Sequence, residues 1–332
     1  MLNKLLVIQT AFPGDVILAT ALLESLHHSH PECKIDVIIR NGNETLFNQH
    51  PFINSIIVWD KSKNKLPNLF KLIFKVRDRK YDLVINLQRF ASSGLLTTFS
   101  GAKESRGFDK NPFSGFFSKK YKHTIGDGRH ETERNHDLIR DLCGEQVHKP
   151  KLYPQIKDFE KVQELKKGPY ICIAPGSVWF TKKFPEKKWI EFIKTYSLKN
   201  NLDKVYLIGS ATEHDLCERI KAGCASPMID NLAGKLSLLQ SAALIKDAKM
   251  NYVNDSAPMH LASAMNGKTT AVFCSTVPTF GFGPLSEIAK IVETTEDLAC
   301  RPCGIHGYNY CPLGHFNCAE TIDVKQLISE NG

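Results

Sequence analysis

The chain has 332 residues, about twice the usual length of one domain, so two domains are expected. With 42% hydrophobic and 23% charged residues it reads as a globular protein, and no apolar run reaches the roughly 18–20 residues that span a bilayer. Net charge is +8, with 22 Lys/Arg against 16 Asp/Glu in residues 1–150 and 21 against 19 in 151–332. A basic N-terminal half suits an anionic partner, such as a phosphorylated glycolipid or an acidic membrane face, although ordinary solubility charge explains it equally well.

The opening MLNKLLVIQTAFPGDVILAT looks superficially like a secretion signal, but Gln9, Pro13 and Asp15 interrupt its apolar stretch. It reads as a strand at 5–9, a loop, and an amphipathic helix from Asp15 to about His30, and the expected compartment is the cytosol. Strands follow at 34–40 and 55–60. A basic helix runs from Leu66 to about Lys80, with Leu69, Leu72, Ile73 and Val76 on one face, and a strand covers 82–88. This alternation predicts a parallel sheet covered on both faces. Residues 109–130 read as a loop excursion and Glu131–Cys143 as a polar helix, and 144–157, with two prolines, is the linker. The alternation then restarts. Strands are expected at 170–174, 204–208, 250–255 and 269–275, and helices at 186–198, 212–223, 236–246 and 257–265. The fold class is α/β, as two Rossmann-like doubly wound domains facing a central cleft, the GT-B architecture. Their bounds are 1–150 and 151–332, the second carrying a Cys-rich tail at 300–318.

Three motifs follow strands, where parallel sheets place ligands. Gly14-Asp15 opens the first helix. Asp15 either points to a ligand or only satisfies amides at a helix N-terminus. One glycine in AFPGD does not make GxGxxG, which argues against a dehydrogenase. Ala174-Pro175-Gly176-Ser177 precedes Thr181-Lys182-Lys183-Phe184-Pro185. Small residues there let amides approach an anion and a lysine can neutralise a diphosphate, or the lysines form a solvated face. Asn254-Asp255-Ser256-Ala257-Pro258-Met259-His260 is the most informative. Ser256 is a candidate N-cap and Pro258 fits a first turn, so the helix aims its positive end at a phosphate. His260 is either a ligand or buried scaffolding. His130-Glu131-Thr132-Glu133-Arg134 fails as a zinc protease motif because Arg134 stands where a second His is needed.

Ten cysteines are present, six of them mostly within apolar patterns and expected to be reduced. Cys300, Cys303, Cys311 and Cys318 cluster in the tail. They either close a tetrahedral structural site for zinc or iron or remain reduced buried thiols.

From residue 4 to about 320 the sequence resembles the ADP-heptose:lipopolysaccharide heptosyltransferase family. The resemblance is carried by GDVILAT, APGSVWFTKKFPEKKW, GSATEH, NDSAPMHLASA and CRPCGIHGYNYCPLGHFNC. His130 to Asn135 resembles the HExxRN stretch of the members that add the second heptose. Ala257 departs from the glycine usual there. The resemblance implies an inverting enzyme with Asp15 as catalytic aspartate and Lys182, with Lys183 beside it, on the donor diphosphate. It further implies Glu213 on the nucleotide ribose, and Asp255, Ser256, Ala257, Pro258, Met259 and His260 as the donor-binding turn.

In such a reaction the acceptor hydroxyl displaces the nucleoside diphosphate in one step. Asp15 would take the proton, while Lys182 and the Ser256–Met259 helix terminus stabilise the leaving group. That positive field makes a catalytic metal unnecessary, so no cofactor is expected for catalysis. The basic residues Lys71, Lys75, Arg77 and Arg106 are expected to face a phosphorylated lipid-borne inner core, with Arg106 the acceptor-binding candidate. The expected partners are ADP-heptose, the lipopolysaccharide inner core and the cytoplasmic membrane face. The rivals are another nucleotide-sugar transferase with a different donor or a protein acceptor, a sugar-nucleotide epimerase of the same shape, and a zinc-ribbon nucleic-acid-binding protein. The last is disfavoured because the basic residues are not interleaved with aromatics.

Overall fold

A computed structural model describes residues 2–61, 65–199 and 204–328. The chain divides into two units, Met1–Ile125 with Arg129–Tyr153, and Gly126–Gly128 with Pro154–Gly332. Each unit is built on one six-stranded sheet.

In the first unit the strands are β1 (Lys4–Gln9), β2 (Lys34–Arg40), β3 (Ile53–Trp59), β4 (Leu83–Asn86), β5 (Glu104–Phe108) and β6 (Lys119–Tyr121). They lie in the order β3-β2-β1-β4-β5-β6, every neighbouring pair parallel. β1 and β4 are apolar and buried along nearly their whole length, as strands covered on both faces must be. Among the described residues the α-helices here are α1 (Pro13–Ser29), α2 (Lys65–Asp78), α3 (Ala91–Thr98), α4 (Glu131–Asp137) and α5 (Arg140–Cys143). The α2 residues expected on one face, Leu69, Leu72, Ile73 and Val76, do pack together. They meet Ile38, Ile57, Trp59 and Val84 in one core.

The second unit repeats the plan. Its strands are β7 (Tyr170–Ala174), β8 (Lys204–Leu207), β9 (Ile229–Asn231), β10 (Met250–Asn254), β11 (Thr269–Phe273) and β12 (Ala289–Glu293). Their order is β12-β11-β10-β7-β8-β9, again all parallel. The helices are α6 (Ile156–Val162), α7 (Glu186–Lys199), α8 (His214–Cys224), α9 (Leu238–Lys246), α10 (Ala257–Met265), α11 (Asn317–Glu320) and α12 (Lys325–Ile328). Aromatic side chains dominate this core: Phe184, Trp189 and Phe192 surround Tyr196 and Tyr252. Both units thus have the doubly wound order, in which strand order reverses beside the first strand of each. That reversal opens a crevice at the strands' carboxyl ends.

The structure departs from the sequence reading at several places. The loop excursion at 109–130 contains β6, which pairs with β5. The polar helix expected at 131–143 is two helices, α4 and α5, separated at Leu138-Ile139, both fully buried. Residues 156–157, placed in the linker, open α6. The helix at Asp15 starts two residues earlier, at Pro13, so Asp15 occupies its third position.

Candidate functional site

In the second unit the crevice lies between the ends of β7 and β10, and one side chain organises it. Asn254, the last residue of β10, is fully buried. Its amide nitrogen donates to the carbonyls of Pro175 at 2.8 Å and Gly176 at 3.2 Å, and its Oδ1 accepts from the Phe184 N–H at 3.1 Å. Three loops distant in sequence are thereby held together: the turn after β7, the Lys182–Phe184 stretch and the turn opening α10. Asn254 began the motif singled out in the sequence but was not among its candidate site residues.

Asp255 follows directly. Its Oδ2 lies 2.6 Å from Lys182 Nζ and accepts from Thr276 Oγ1 at 2.6 Å. The two charged side chains are only 7% and 14% exposed. A pair so removed from water must be mutually satisfied, and removing either partner strands a charge. It is Lys182 that makes this pair, while Lys183 lies beside it, half-buried. Thr276 lies outside every motif of the sequence, and Thr181, which opens the lysine motif, was not among the candidate site residues. Thr181 accepts from Ser275 Oγ at 2.9 Å and from the Tyr308 N–H at 2.8 Å. It ties the tail to the lysine loop.

Ser256 stands at the N-cap position of α10 with extended backbone, but its hydroxyl donates to the Asn254 carbonyl at 3.3 Å and does not cap. The Met259 N–H bonds the Ser256 carbonyl at 3.0 Å, and Pro258 has none. The amides left for an anion at this helix end are those of Ser256 and Ala257, fewer than expected. Met259 and His260 are both buried, so they shape the turn from behind it.

Glu213 completes this side. It closes the single turn Ala211–Glu213, and its Oε2 accepts from the Ser210 N–H at 2.7 Å and hydroxyl at 2.9 Å. The carboxylate lies across two glycines. A Cβ on Gly209 would meet Glu213 Oε2 at 2.7 Å, and one on Gly176 would sit on the Glu213 carboxylate itself. The glycine of Ala-Pro-Gly-Ser is therefore required by an acid that enters from the next strand's loop.

In the first unit Asp15 lies in the first turn of α1, half-buried, near the positive helix end. A pocket of about 200 Å³ opens at the ends of β1 and β2, lined by Ala11, Phe12, Pro13, Arg40 and Asn43 among others. Lys61, just past β3, donates to Thr10 Oγ1 at 2.7 Å and stands over the Trp59 ring at 4.2 Å. Burial, and then the Arg40 charge, lower its pKa to about 8. No sequence motif pointed to Lys61 or Arg40.

One expectation is corrected. Arg106, the acceptor-binding candidate, is 1% exposed on β5. Its guanidinium pairs with Glu104 at 2.6 Å and with Asp141, and donates to the Leu138 carbonyl at 2.8 Å. It is an internal strut joining β5 to the α4–α5 junction. For the cysteine tail the sequence left two readings, a metal site or reduced thiols. Cys300, Cys303, Cys311 and Cys318 are near enough to act on one another electrostatically, and burial first, then those neighbours, raise the Cys303 and Cys318 thiols. Yet among the described residues no three His, Cys, Asp or Glu are placed to hold a metal ion. Cys318 is packed into the core from α11, and the Cys303 thiol turns to the Cys300 carbonyl at 3.2 Å. What fastens the tail is Arg301, which bonds the carbonyls of Cys274 at 2.7 Å and Thr276 at 2.8 Å and pairs with Glu293 at 2.6 Å.

The His130–Asn135 stretch is also structural. Glu131 is held between His123 at 3.1 Å and Arg134 at 2.9 Å. Burial would raise its pKa, but these two partners hold it below the usual carboxylate range.

Comparison with known proteins decides the class. The profile of glycosyltransferase family 9 (heptosyltransferase) matches residues 69–305. The chain belongs to this family. The enzyme is therefore a glycosyltransferase, which displaces the nucleic-acid-binding alternative. A lipopolysaccharide heptosyltransferase 3 of Escherichia coli is 27% identical over 279 residues, covering 80% of this chain and 82% of that protein. The lipopolysaccharide heptosyltransferase 2 of Escherichia coli K12 is 26% identical over 310 residues, 87% of this chain and 88% of that one. The solved structure of the Escherichia coli ADP-heptose lipopolysaccharide heptosyltransferase II superposes with a TM-score of 0.76 at 23% identity, covering 98% of this chain and 100% of that one. The two-sheet GT-B fold of this family 9 enzyme is thereby established.

Proposed function

We propose that this glycosyltransferase moves heptose from ADP-L-glycero-D-manno-heptose onto the inner core of lipopolysaccharide, with inversion, and that it adds the second heptose. The observation that carries the reading is the buried Lys182–Asp255 pair at the crevice between β7 and β10. It fixes a cation beside the N-terminus of α10, where a diphosphate leaving group would be neutralised. The named relatives act on lipopolysaccharide, which supports the choice of acceptor. Asp15 is the proposed base, deprotonating the acceptor hydroxyl. Glu213 holds the nucleotide ribose, and Ser256 and Ala257 present amides to the phosphates. Pro258, Met259 and His260 shape the turn, and Lys183 lends a secondary charge. The enzyme works in the cytoplasm, in peripheral contact with the inner membrane.

The test is release of ADP from ADP-heptose. Release with lipopolysaccharide bearing a single heptose, and none with heptose-free core, supports the full reading. Release with heptose-free core assigns the first heptose instead, and no release with either acceptor rejects the donor–acceptor pair.

Glu213 supplies a sharper check. Because the atom that a Gly176 methyl would meet is the end of a flexible side chain, Gly176→Ala should displace the carboxylate and leave the fold intact. Loss of a charge-assisted hydrogen-bond pair to a ribose amounts to about ten- to a hundredfold in donor affinity. Calorimetry should therefore show Gly176→Ala and Glu213→Ala weakened alike, with melting temperatures near wild type. Unaltered binding in Gly176→Ala would remove Glu213 from the donor site.

A further inference from the structure

The helix α2 buries Leu69, Leu72, Ile73 and Val76, yet its exposed side also carries large apolar side chains. Leu66, Phe70 and Phe74 are 66%, 57% and 64% exposed. They recur every four residues, so they form one stripe along the helix. A helix at a protein surface normally turns charge to water at such positions. Two large aromatic rings and a leucine in line, held open to solvent, are costly unless something apolar covers them.

The charges around the stripe indicate what covers it. Lys71 and Lys75 are exposed and follow each phenylalanine directly in sequence, and Arg77 and Lys80 are exposed at the helix end. From Lys65 to Lys80 the sequence carries six Lys or Arg and one acid, Asp78. Arg79 is turned inward, to the buried Asp36 at 2.7 Å. An apolar stripe bordered by cations is the pattern of a helix lying in the plane of a membrane interface. Its rings enter the acyl boundary while the lysines meet anionic headgroups. Among the described residues no helix is long and apolar enough to cross a membrane.

We propose that α2 is the membrane-docking surface of this enzyme, and that Leu66, Phe70 and Phe74 insert into an anionic phospholipid bilayer with Lys71 and Lys75 on its headgroups. This gives Lys71 and Lys75 a different task from the acceptor contact expected of them in the sequence. The inference deepens the lipid-borne acceptor reading and rests on it for its biological sense, but its test is separate.

Purified full-length enzyme is sedimented with vesicles of phosphatidylcholine alone and of phosphatidylcholine mixed with phosphatidylglycerol. Binding is expected to the mixed vesicles, to fall as salt rises, and to drop by at least about tenfold in Phe70→Glu/Phe74→Glu. Phe70→Ser/Phe74→Ser, a milder pair, should show the same direction if the glutamates impair folding, and thermal melting checks both. Transfer to a soluble, delipidated acceptor should be unchanged in these variants. If that transfer fails in the wild type, the functional reading is at fault while the vesicle result still stands or falls alone. Equal binding by wild type and variants, or equal binding to neutral and anionic vesicles, overturns the proposal. So does a wild-type dimer that the substitutions dissociate while vesicle binding is unaffected, because the stripe then covers a second copy of the chain.

Discussion

Replacing Asp15 by Ala is expected to lower the rate of heptose transfer by about a hundred- to ten-thousandfold, the range of a lost general base, while donor affinity changes by less than about threefold. The alternative for this residue is a purely local one. As the third residue of α1 it lies where a carboxylate favours the helix dipole, and that contribution amounts to about 0.3–1 kcal/mol. The two roles separate in Asp15→Asn, which keeps the shape and removes the basicity. A large loss of kcat with a melting temperature within a few degrees of wild type identifies the base. A fall in stability accompanied by nearly full kcat identifies the helix acid. Parallel losses in rate and in donor binding refute the base role, because a group that acts on the acceptor proton has no part in holding the nucleotide.

Lys182→Ala should weaken donor binding and lower kcat together, by about a hundred- to a thousandfold in kcat/KM. It should also destabilise the second unit. Asp255 would be left 7% exposed with its charge no longer opposed and only the Thr276 hydroxyl bond kept, and breaking a buried pair costs about 3 kcal/mol or more. Structural and catalytic effects are separable by adding Asp255→Asn, which removes the stranded charge. The double variant should recover most of the stability and none of the transfer. Should Lys182→Ala bind donor normally while Lys183→Ala does not, the leaving-group role passes to Lys183 and the Lys182–Asp255 pair is a structural contact alone.

These experiments concern residues that the sequence already marked, and the reason they were legible is geometric. A buried strand followed by small and polar residues is a local pattern. β7 with Ala174-Pro175-Gly176, and β10 with Asn254-Asp255-Ser256, carry it in a few consecutive residues. α10 begins and ends where the sequence placed it because Pro258 fits only a first turn and Asn266 adopts the left-handed conformation that stops the helix. The elements that escaped notice lack such patterns. β5 reads Glu-Ser-Arg-Gly-Phe, too polar for a strand, and it is buried because Arg106 finds Asp141 in a distant segment. β9 and β12 lie at the edges of their sheet, where one side needs no apolar residue.

By itself the sequence determined the two-domain α/β plan and the turns that could bind a nucleotide sugar, because strand burial and helix starts are written in neighbouring residues. Only the tertiary structure decided which charges are internal struts and which stand at a strand crevice. Arg106 and Lys182 look equally available in one dimension. One is enclosed by Glu104, Asp141 and the Leu138 carbonyl, whereas the other sits with Asp255 at a strand crevice, and a side chain's solvent and partners come from segments that the chain brings together only on folding.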